Sequence, residues 1–455
     1  MESLEKNRTA ALQVLRKLCE AGYETYFAGG CVRDTLLNLS PKDFDIATAA
    51  LPNEIENLFS KTLDIGKKFG TIIVNDYSSP IEVTTFRSDN NYQDGRHPES
   101  VRYSNAKEDA IRRDFTINGL FFDPIKDELI DFVDAKKDIE NKIIKAIGNP
   151  DERFKEDHLR MLRAVRFAHS LNFKIEHKTI EAIKEHAHLI EAISIERIEN
   201  ELSRILVESN QPGDALQSLF ELGLLKYILP EVVKLKGVQQ PPDHHPEGDV
   251  FTHVKLMLNL TSSSIIPCSF SKKELCYAIL FHDISKPEKY MEEIQEDGTT
   301  RIRFLGHERK GAEVTKNILK RLKLSNKETS KITTVIAEHM KPFQVKEMKL
   351  STLRKIMGTD YFELLLELHR LDGLGSKGLL PSYTYLKNKH KEYEAEDILP
   401  KPLISGNDLL VLNIRNGPKL GKILDEVYNK QLEDNLSKTD LLIWIKEKIG
   451  AESGT

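Results

Sequence analysis

A change in hydrophobic periodicity near residue 150 constrains this chain of 455 residues more than any other feature. Before it, short apolar alternations at 71–75 and 81–86 predict β-strands mixed with helices. From Phe154 onward, leucine, alanine and charged residues recur at helical spacing almost to the C-terminus, without strand alternation or a repeat of fixed period. The pattern predicts a mixed α+β head followed by a mostly helical body.

Turn signals divide both parts further. The predicted elements of the head are helices at 9–21 and 32–39 and strands at 23–28, 43–47, 71–75, 81–86, 115–122 and 128–133. The polar segment 87–104, rich in Asn, Asp and Gly, is predicted to be a long loop. In the body, prolines within 236–248 predict a linker, and three glycines within 373–381 predict a second break.

Composition excludes several classes of protein. Hydrophobic residues make up 40% of the chain and are spread along it, which excludes wholesale disorder, and the absence of a run of about 18 apolar residues excludes a membrane span. The four cysteines form no CxxC pair, and the polar N-terminus is unlike a secretory signal, so we expect a cytoplasmic protein without a disulfide scaffold. The net charge of −5 excludes a globally basic nucleic-acid coat but is compatible with a local basic surface.

Two aspartates, Asp43 and Asp45, lie two positions apart on the predicted strand 43–47. The strand period of two sends both carboxylates to one face, where they repel each other unless a cation lies between them. Mg²⁺ prefers one or two carboxylates together with substrate phosphates, and two such ions activate an attacking hydroxyl and stabilise a leaving phosphate. A solvated strand face is the alternative for an isolated pair of this kind.

A glycine pair just upstream favours the phosphate interpretation. Gly29 and Gly30 mark a strand-to-helix turn, where the backbone can approach a phosphate and the helix N-terminus offers free N–H groups. Arg33 adds a charge-assisted partner for a triphosphate. Glu82, on a neighbouring predicted strand, is a candidate third carboxylate, with simple exposure as the alternative.

These residues resemble the nucleotidyltransferases of the DNA polymerase β superfamily and, within it, the bacterial class II tRNA nucleotidyltransferase and poly(A) polymerase family. The resemblance covers most of the chain, and it rests on segments 29–34 (GGCVRD), 43–48 (DFDIAT), 112–120 (RRDFTINGL), 156–167 (EDHLRMLRAVRF) and 196–198 (ERI). The family adds nucleotides to RNA 3′ ends without a nucleic-acid template, and its best-known members build the CCA end of tRNA.

The resemblance implies a set of partners and site residues. CTP, ATP and tRNA are the implied partners, and Mg²⁺, held by Asp43 and Asp45, is the implied cofactor. The RNA 3′-hydroxyl would attack the α-phosphate and release pyrophosphate. The implied nucleotide-binding residues of the head are Gly30, Arg33 and Arg113, with Asp114 and Asn118 at the ribose.

A row of charged residues on a predicted helix suits the recognition of a base. Its members, spaced every three positions, are Asp157, Arg160, Arg163 and Arg166. The Asp157 carboxylate can accept a hydrogen bond from the exocyclic amine of cytosine or adenine, and Arg160 can donate one to the neighbouring ring nitrogen. Uracil and guanine present a carbonyl in place of the amine, which leaves a buried polar group unpaired at a cost of roughly 1–3 kcal/mol. We therefore expect Asp157 and Arg160 to select C and A, and Arg163 and Arg166 to reach the phosphates or the base. A salt-bridged helix face is the alternative.

Other segments bear on the reaction through the same resemblance. Segments 86–87 and 94–98 resemble the family's flexible loop, which goes with addition of the terminal A and argues against an enzyme that adds only C. Segment 132–135 (FVDA) departs from a glycine-containing motif linked to flexibility between head and body. Segments 403–409 and 417–424 resemble the family's tail and offer two lysines, 419 and 422, to an RNA backbone, with a capped, solvated helix as the alternative.

Six histidines and aspartates in the predicted helical body have a spacing suited to metal binding. They are His253, His282, Asp283, His307, His339 and Asp372. Such residues on several helices can converge on one divalent metal or two. They resemble the HD phosphohydrolase domain, which implies four core ligands (His253, His282, Asp283, Asp372) and two extra ligands of two-metal members (His307, His339). The implied chemistry is metal-bound hydroxide attacking a phosphate ester, and a spacer that retains its ligands is the alternative.

The sequence thus predicts four domains and a leading function with rivals. The predicted bounds are 1–147 for a polymerase-β-like head, 148–235 for a helical neck, 236–380 for the HD domain and 381–455 for a helical tail. CCA addition to tRNA is the leading function. Within the same class, an enzyme that adds only the terminal A and a poly(A) polymerase remain, although segment 66–70 (GKKFG) favours the tRNA branch. From other classes, a phosphohydrolase acting through the HD site and a non-catalytic RNA-binding protein remain.

Overall fold

The computed structural model describes residues 2–92, 98–394, 397–412 and 414–453 and divides the chain into two compact units, Met1–Val233 and Lys234–Thr455. The predicted α+β class is confirmed, with a large sheet in the first unit and mostly helices in the second. The four domain bounds named above remain predictions. Among the described helices, we find none with the length and apolar character needed to cross a membrane.

The first unit combines eleven strands and twelve helices in its described residues. The strands are β1 (Thr25–Ala28), β2 (Ile46–Thr48), β3 (Thr62–Gly66), β4 (Thr71–Val74), β5 (Ile81–Thr85), β6 (Arg87–Tyr92), β7 (Pro98–Tyr103), β8 (Leu120–Asp123), β9 (Glu128–Asp131), β10 (Ile143–Ile144) and β11 (Lys174–Ile175). The helices are α1 (Glu2–Glu20), α2 (Gly30–Leu36), α3 (Pro52–Leu58), α4 (Ala106–Ile111), α5 (Ala135–Glu140), α6 (Pro150–Glu156), α7 (Arg160–Leu171), α8 (His177–His186), α9 (Ile195–Glu208), α10 (Pro212–Glu221), α11 (Leu225–Ile228) and α12 (Pro230–Val233).

A seven-stranded sheet in the order β3-β4-β5-β2-β1-β8-β9 forms the framework of the head. Its neighbours are antiparallel except β2 and β5, which run parallel with Ile46 opposite Val83. The three residues of β2 are buried, as expected for a central strand covered on both faces. Because β2 and β5 run in the same direction, the residues just before Ile46 and Val83 lie side by side. These residues are Asp45, which precedes β2, and Glu82, which lies within β5.

Three expectations for the head are wrong. Segment 87–104 is not a loop throughout, because β6 and β7 pair as an antiparallel hairpin of their own. The strand expected from 115 begins at Leu120, after a 3-10 turn over Thr116–Asn118. The strand expected from 43 begins at Ile46, so both aspartates stand in the segment that leads into it. A two-stranded hairpin outside the main sheet need not show the alternation that a half-buried strand requires.

The second unit is helical apart from one hairpin in its described residues. Its elements are α13 (Val250–Leu260), α14 (Lys272–Phe281), α15 (Lys286–Lys289), β12 (Met291–Ile294), β13 (Thr300–Arg303), α16 (His307–Arg321), α17 (Asn326–Glu338), α18 (Leu350–Met357), α19 (Phe362–Gly375), α20 (Pro381–Glu394), α21 (Gly406–Val411), α22 (Pro418–Asp434) and α23 (Lys438–Ser453). Helix α14 lies at its centre, with every residue from Glu274 to Phe281 buried.

Two expectations for the body are corrected as well. Strands do occur after Phe154, namely β11, which pairs with the earlier β10, and the hairpin β12–β13, whose first strand is exposed at all four positions and so carries no apolar alternation. The break expected at 373–381 begins later, because α19 continues through Gly375. A Cβ at Gly375 would lie 2.9 Å from Met257 Cγ, so this glycine permits close packing of α19 on α13 instead of ending the helix.

Candidate active site and metal centre

The aspartate pair lies at the edge of the head sheet. Asp43 is exposed and Asp45 is half-buried, while Phe44 between them is buried, so the alternation expected from the sequence holds although the strand begins later. The backbone N–H of Ala28, at the end of β1, donates to the carbonyl of Asp45 at 3.0 Å. This bond places the turn that follows Ala28 beside the two aspartates.

The carboxylates at this edge repel one another. Burial, together with the charges of Glu82 and Asp43, raises the pKa of Asp45 to about 7. Burial and the Asp43 charge also raise the pKa of Glu82. Asp43, Asp45 and Glu82 do not bring three ligand atoms within 4.8 Å of one another. The donors are all carboxylate oxygens, which suit Mg²⁺ together with phosphate and water oxygens.

The Gly29-Gly30 turn adopts a conformation that requires glycine. Gly29 has a φ of 70°, and a Cβ at this position would lie 2.8 Å from Arg113 Nη1. Its N–H donates to the carbonyl of Leu120 at 3.0 Å, which ties the turn to β8. The Arg113 guanidinium also lowers the pKa of Asp45, opposing the burial described above, so it lies within electrostatic reach of the aspartate. Glycine turn, arginine and aspartate thus share one corner of the head.

Asp114 joins several predicted binding residues. Its Oδ2 accepts from Arg163 Nε at 2.8 Å, and its Oδ1 accepts from the side-chain amide of Asn118 at 3.0 Å. Arg33 Nη1 donates to Asn118 Oδ1 at 2.6 Å, which extends the chain of bonds to α2. Burial opposes ionisation of Asp114, but the charge of Arg163 and the Asn118 amide bring its pKa below the ordinary value. Residues from three separate segments are therefore held in one buried network.

Asp109, which the sequence analysis did not single out, is a second buried anchor. Its side chain is 1% exposed and accepts from Arg112 Nη2 at 2.6 Å and from Arg113 Nη2 at 3.0 Å. Arg112 Nε also donates to the carbonyl of Arg87, the first residue of β6, at 3.0 Å. The i, i+3 and i, i+4 spacing of an aspartate and two arginines is the signal that could have identified it.

The row Asp157–Arg166 is interrupted, contrary to expectation. Asp157 has extended backbone between α6 and α7, so only the three arginines share a helix. Asp157 accepts from Arg197 Nη2 at 2.9 Å, and Arg160 Nη1 donates to Glu156 at 2.6 Å, so each member of the expected base-reading pair has another partner. Arg160 is also tied to the carbonyl of Arg112 at 3.2 Å, which links the neck helix to the head.

The remaining two arginines differ in accessibility. The Arg163 side chain is 31% exposed and pairs with Asp114, whereas Arg166 is 5% exposed. Arg166 Nε donates to Glu201 Oε2 at 2.7 Å, and the guanidinium lies 4.2 Å from the centre of the Phe167 ring. Arg166 therefore has the surroundings of a structural ion pair, and Arg163 is better placed than Arg166 to meet a ligand.

Three predicted segments have different outcomes. Residues 94–97 of the expected flexible loop lie outside the described residues. Within segment 132–135, Asp134 has a φ of 59°, a left-handed conformation that glycine adopts without strain. In the tail, Lys422 is exposed in the first turns of α22, and the N-cap of that helix is Gly417.

The structure brings all six predicted metal ligands of the body into two adjoining sets. In each set the ligand atoms lie within 4.8 Å of one another, one consisting of His253, His282 and Asp372 and the other of Asp283, His307 and His339. His253 Nε2 lies 3.2 Å from Asp372 Oδ1, and His282 Nε2 lies 3.1 Å from Asp283 Oδ2. Asp283 therefore stands between the sets, with its Oδ1 3.4 Å from His307 Nε2.

Backbone carbonyls orient three of these histidines. Nδ1 of His282, His307 and His339 lies 2.8, 2.8 and 2.7 Å from the carbonyl oxygen of the residue three positions earlier. A nitrogen facing a carbonyl must be the donor, so the neutral rings present a lone pair on Nε2. Yet the Nε2 atoms of His307 and His339 face each other at 3.2 Å. Two lone pairs at this distance repel each other, which a cation between them would relieve.

Two further observations test whether a cation fits. The Nε2 atoms of His253 and His282 are buried and, among the described residues, make no hydrogen bond of normal geometry. Burial and the imidazole of His282 lower the pKa of His339 to about 3, which keeps it neutral. Despite burial, Asp372 and Glu247 raise the pKa of His253 to about 9, so positive charge is favoured at that end. The donor set of imidazoles and carboxylates fits a divalent transition metal.

Two residues near this cluster were missed because the linker prediction covered them. Glu247 accepts from Nδ1 of both His245 and His253, at 2.8 and 2.7 Å. Residues 245–247 precede α13 and contain a proline, so the sequence pattern predicts a turn there and gives no indication of residues beside a metal site. A His-Pro-Glu sequence shortly before His253 is the only signal in the sequence that could have pointed to them.

Family comparisons now place these sites among known proteins. Residues 25–145 match the poly A polymerase head domain, residues 172–235 the RNA and SrmB-binding site of polymerase A, and residues 304–445 the tRNA nucleotidyltransferase domain 2. Two similar proteins are the CCA-adding enzymes of Ligilactobacillus salivarius, 48% identical over 228 residues, and Pediococcus pentosaceus, 42% identical over 266 residues. These matches cover 50% and 56% of this chain and 56% and 66% of the relatives, so the chain spans little more than half of the first relative's length.

Solved structures are similar over nearly the whole chain. The crystal structure of Bacillus stearothermophilus CCA-adding enzyme in complex with CTP has a TM-score of 0.73 and 26% identity, covering 98% of each chain. The Thermotoga maritima CCA-adding enzyme complexed with tRNA has a TM-score of 0.62 and 18% identity, covering 97% of this chain and 95% of that one. The second likeness is one of fold.

Proposed function

We propose that this chain is a member of the class II tRNA nucleotidyltransferase and poly(A) polymerase family and adds C and A from CTP and ATP to the 3′ end of tRNA in the cytoplasm, without a nucleic-acid template. One observation carries the proposal. The Gly29-Gly30 turn, the Arg113 guanidinium and the Asp43/Asp45 pair lie together at one corner of the head sheet. Transfer of a nucleotidyl group needs a backbone that binds phosphate and a pair of carboxylates that binds a metal cation, and this corner offers both.

The reaction transfers a nucleoside monophosphate to RNA. The RNA 3′-hydroxyl attacks the α-phosphate of the nucleotide, the bond between the α-phosphate and pyrophosphate breaks, and the hydroxyl proton is lost to solvent. Asp43 and Asp45 would hold Mg²⁺, which when bound lowers the pKa of the hydroxyl and stabilises charge on the phosphates. The helix α2 has no side-chain cap at Gly29, and its first backbone N–H groups would bind the phosphates.

Recognition of the nucleotide is assigned to residues of both the head and the neck. Asp114 and Asn118 are suited to the ribose hydroxyls, because one accepts and the other both accepts and donates. Asp157, held in place by Arg197, offers an acceptor to the exocyclic amine of C or A, and Arg160 offers a donor. Uracil and guanine present a carbonyl to Asp157 instead, and the unpaired acceptor costs roughly 1–3 kcal/mol. Arg163, half-buried beside Asp114, is proposed to contact a phosphate.

An end-extension assay tests the proposal directly. One tRNA that ends before CCA and one that ends in CC each receive CTP, ATP or both with Mg²⁺, and products are resolved to one nucleotide. We expect three additions to the first tRNA and one to the second. Asp45→Asn should abolish both, whereas Glu128→Gln, an exposed carboxylate on the outer strand of the same sheet, should abolish neither.

Each other outcome selects a different enzyme. Extension of the CC-ending tRNA alone identifies an enzyme that adds only the terminal A. Long A tails on unrelated RNA identify a poly(A) polymerase. No extension of any substrate contradicts the nucleotidyltransferase proposal.

A second activity is favoured by the buried cluster of the second unit. We propose that His253, His282, Asp283 and Asp372, with His307 and His339, hold one or two divalent metals and hydrolyse a phosphate ester. The orphaned Nε2 atoms and the facing imidazoles support a cation there. Phosphatase turnover of 2′,3′-cyclic phosphates and phosphomonoesters should survive Asp43→Ala and be lost in Asp283→Asn. A cluster that binds metal without turnover would identify a structural metal site.

A further inference from the structure

We infer that Glu247 is a positioning residue that holds His253 in its metal-binding orientation, with His245 as a second anchor on the same carboxylate. The inference rests on the proposed metal centre of the second unit. It assigns a role to a segment, 245–249, that precedes α13 and contributes none of the six proposed ligands.

His253 is anchored differently from the other three histidines. In each of those three, Nδ1–H donates to the carbonyl of the residue three positions earlier, at 2.7–2.8 Å. Nδ1 of His253 instead faces Glu247 Oε1 at 2.7 Å. A carboxylate partner on Nδ1 fixes the tautomer and ring orientation and makes Nε2 a stronger ligand. Nε2 of His253 then points toward Asp372 and the metal cluster.

Glu247 is itself held in place. Its side chain is 6% exposed, and the same Oε1 accepts from Nδ1 of His245 at 2.8 Å. The rings of His245 and His253 are 4.9 Å apart and nearly perpendicular, so they flank the carboxylate from two sides. Its other oxygen, Oε2, is buried and has no hydrogen-bond partner among the described residues. A buried carboxylate with an unused oxygen is costly, which argues for a benefit beyond attaching the segment to α13.

The segment is rigid enough to serve as a support. Asp249 caps α13 through Thr252 N–H at 2.8 Å, and the same carboxylate accepts from the N–H of Gly237 at 2.7 Å. Glu247 is thus fixed two residues before a capped helix start, and His253 lies one turn inside that helix. The distance between them is therefore set by local structure and not by a flexible loop.

Removal of the Glu247 carboxylate should lower the affinity for metal while leaving the chain folded. We expect Glu247→Gln to lower affinity roughly 10- to 100-fold, the usual effect of losing such a partner. Glu247→Asp keeps the charge on a shorter side chain, and we expect its metal affinity to lie between that of Glu247→Gln and that of the parent chain. Glu296→Gln, an exposed glutamate in the turn of the β12–β13 hairpin, is the matched control and should bind as the parent chain does.

The test uses the full chain with Asp43→Asn and Asp45→Asn, so that the head takes up no metal. Mn²⁺ binding is measured by calorimetry, the visible spectrum of bound Co²⁺ reports the ligand field, and thermal unfolding checks the fold of each variant. Weaker Mn²⁺ binding and an altered Co²⁺ spectrum in Glu247→Gln, with partial recovery in Glu247→Asp, support the inference.

Two results separate its failure from that of the metal centre. Parental affinity and an unchanged spectrum in Glu247→Gln, with or without a lower melting temperature, overturn the positioning role while leaving the centre intact. A parent chain that binds no Mn²⁺, or binds it equally well after His282→Asn, overturns the proposed centre itself and the inference with it.

Discussion

The two candidate sites of this protein are built in opposite ways. In the head, Asp43 is exposed and Asp45 is half-buried, and burial together with the charges of Glu82 and Asp43 raises the pKa of Asp45 to about 7. In the second unit, the six proposed ligands are buried, and three histidines are oriented by backbone carbonyls three positions earlier in the chain. One site is open and incomplete, and the other is enclosed and already arranged.

The difference matches what each site is proposed to bind. An open site can exchange a nucleotide and an RNA end at every addition, and the substrate phosphates supply the remaining oxygen ligands of Mg²⁺. An enclosed site with nitrogen ligands retains a transition metal through many turnovers. The comparison predicts that changes at one site leave the other unaffected, because each lies within its own compact unit.

The largest effect is expected from the head carboxylates. Asp45→Asn should slow single-turnover nucleotide addition by about 1,000-fold, which corresponds to about 4 kcal/mol of lost transition-state stabilisation. Rapid-quench measurement with saturating CTP and Mg²⁺ gives the rate. Mn²⁺ uptake by the second unit should stay at its original affinity, and a parallel loss there would break the comparison.

The converse change should affect only the enclosed site. Asp283→Asn removes the carboxylate that stands between the two ligand sets, and we expect metal affinity to fall by more than about 100-fold, beyond the effect of losing a supporting partner. Calorimetry with Mn²⁺ measures it. Glu296→Gln serves as the control, and CCA addition by Asp283→Asn should match the parent chain. Slower addition would show that the units are coupled.

The contribution of the buried Asp114 carboxylate to the stability of the head should depend on pH. The pKa of Asp114 is lowered in the folded protein, so its contribution is complete above its unfolded pKa of about 3.9 and is lost as pH falls toward the folded value. Asp114→Asn should therefore lower the free energy of unfolding by about 1–3 kcal/mol at pH 7 and by progressively less below pH 4. Urea unfolding at pH 7, 5 and 3.5 tests this, with Glu128→Gln as the exposed control. A difference independent of pH would contradict it.

The smallest effect should appear in the choice of nucleotide. Asp157→Asn replaces an acceptor with a group that can also donate, so discrimination against UTP should relax by about 10-fold. Ratios of kcat/KM for CTP, ATP and UTP measure it. Arg197→Gln, which removes the partner that orients Asp157, should act in the same direction. If both variants keep the original ratios, base selection lies elsewhere.

Sequence reasoning succeeded where chemistry is local. The glycine turn, the aspartate pair and the charged row are each short segments, so their residue types and spacing, together with the family resemblance, were enough to predict a role for them, although a helix break at Asp157 interrupts the row. Partners far apart in the chain were invisible to it. Arg166 pairs with Glu201, 35 positions away, and no periodicity connects them. The interpretation of Arg166 as a ligand contact therefore lacked the information that a buried carboxylate already accompanies it.

The body shows the same limit in another form. The six proposed ligands could be named from their spacing and their resemblance to the HD phosphohydrolase domain, yet the sequence did not show that they divide into two sets of three. Glu247 was overlooked because the proline and glycine around it indicated a linker. Its contact with His253 becomes visible only in the folded structure. The β12–β13 hairpin was missed because exposed strands need no apolar face.

The strand order of the head sheet also dictates when the corner that contains Gly29 and Asp45 can form. β1 pairs with β8, about 90 positions later, and the Gly29 turn closes onto Leu120. During synthesis the ribosome must therefore release the chain well past residue 120 before this turn acquires its final shape. Until then β1 is unpaired on its β8 side, although β2 can already pair with β5, and the closing of such a distant contact is slow. Because an unpaired strand edge can pair with another chain, we expect the nascent head to be most prone to aggregation between the synthesis of β1 and that of β8.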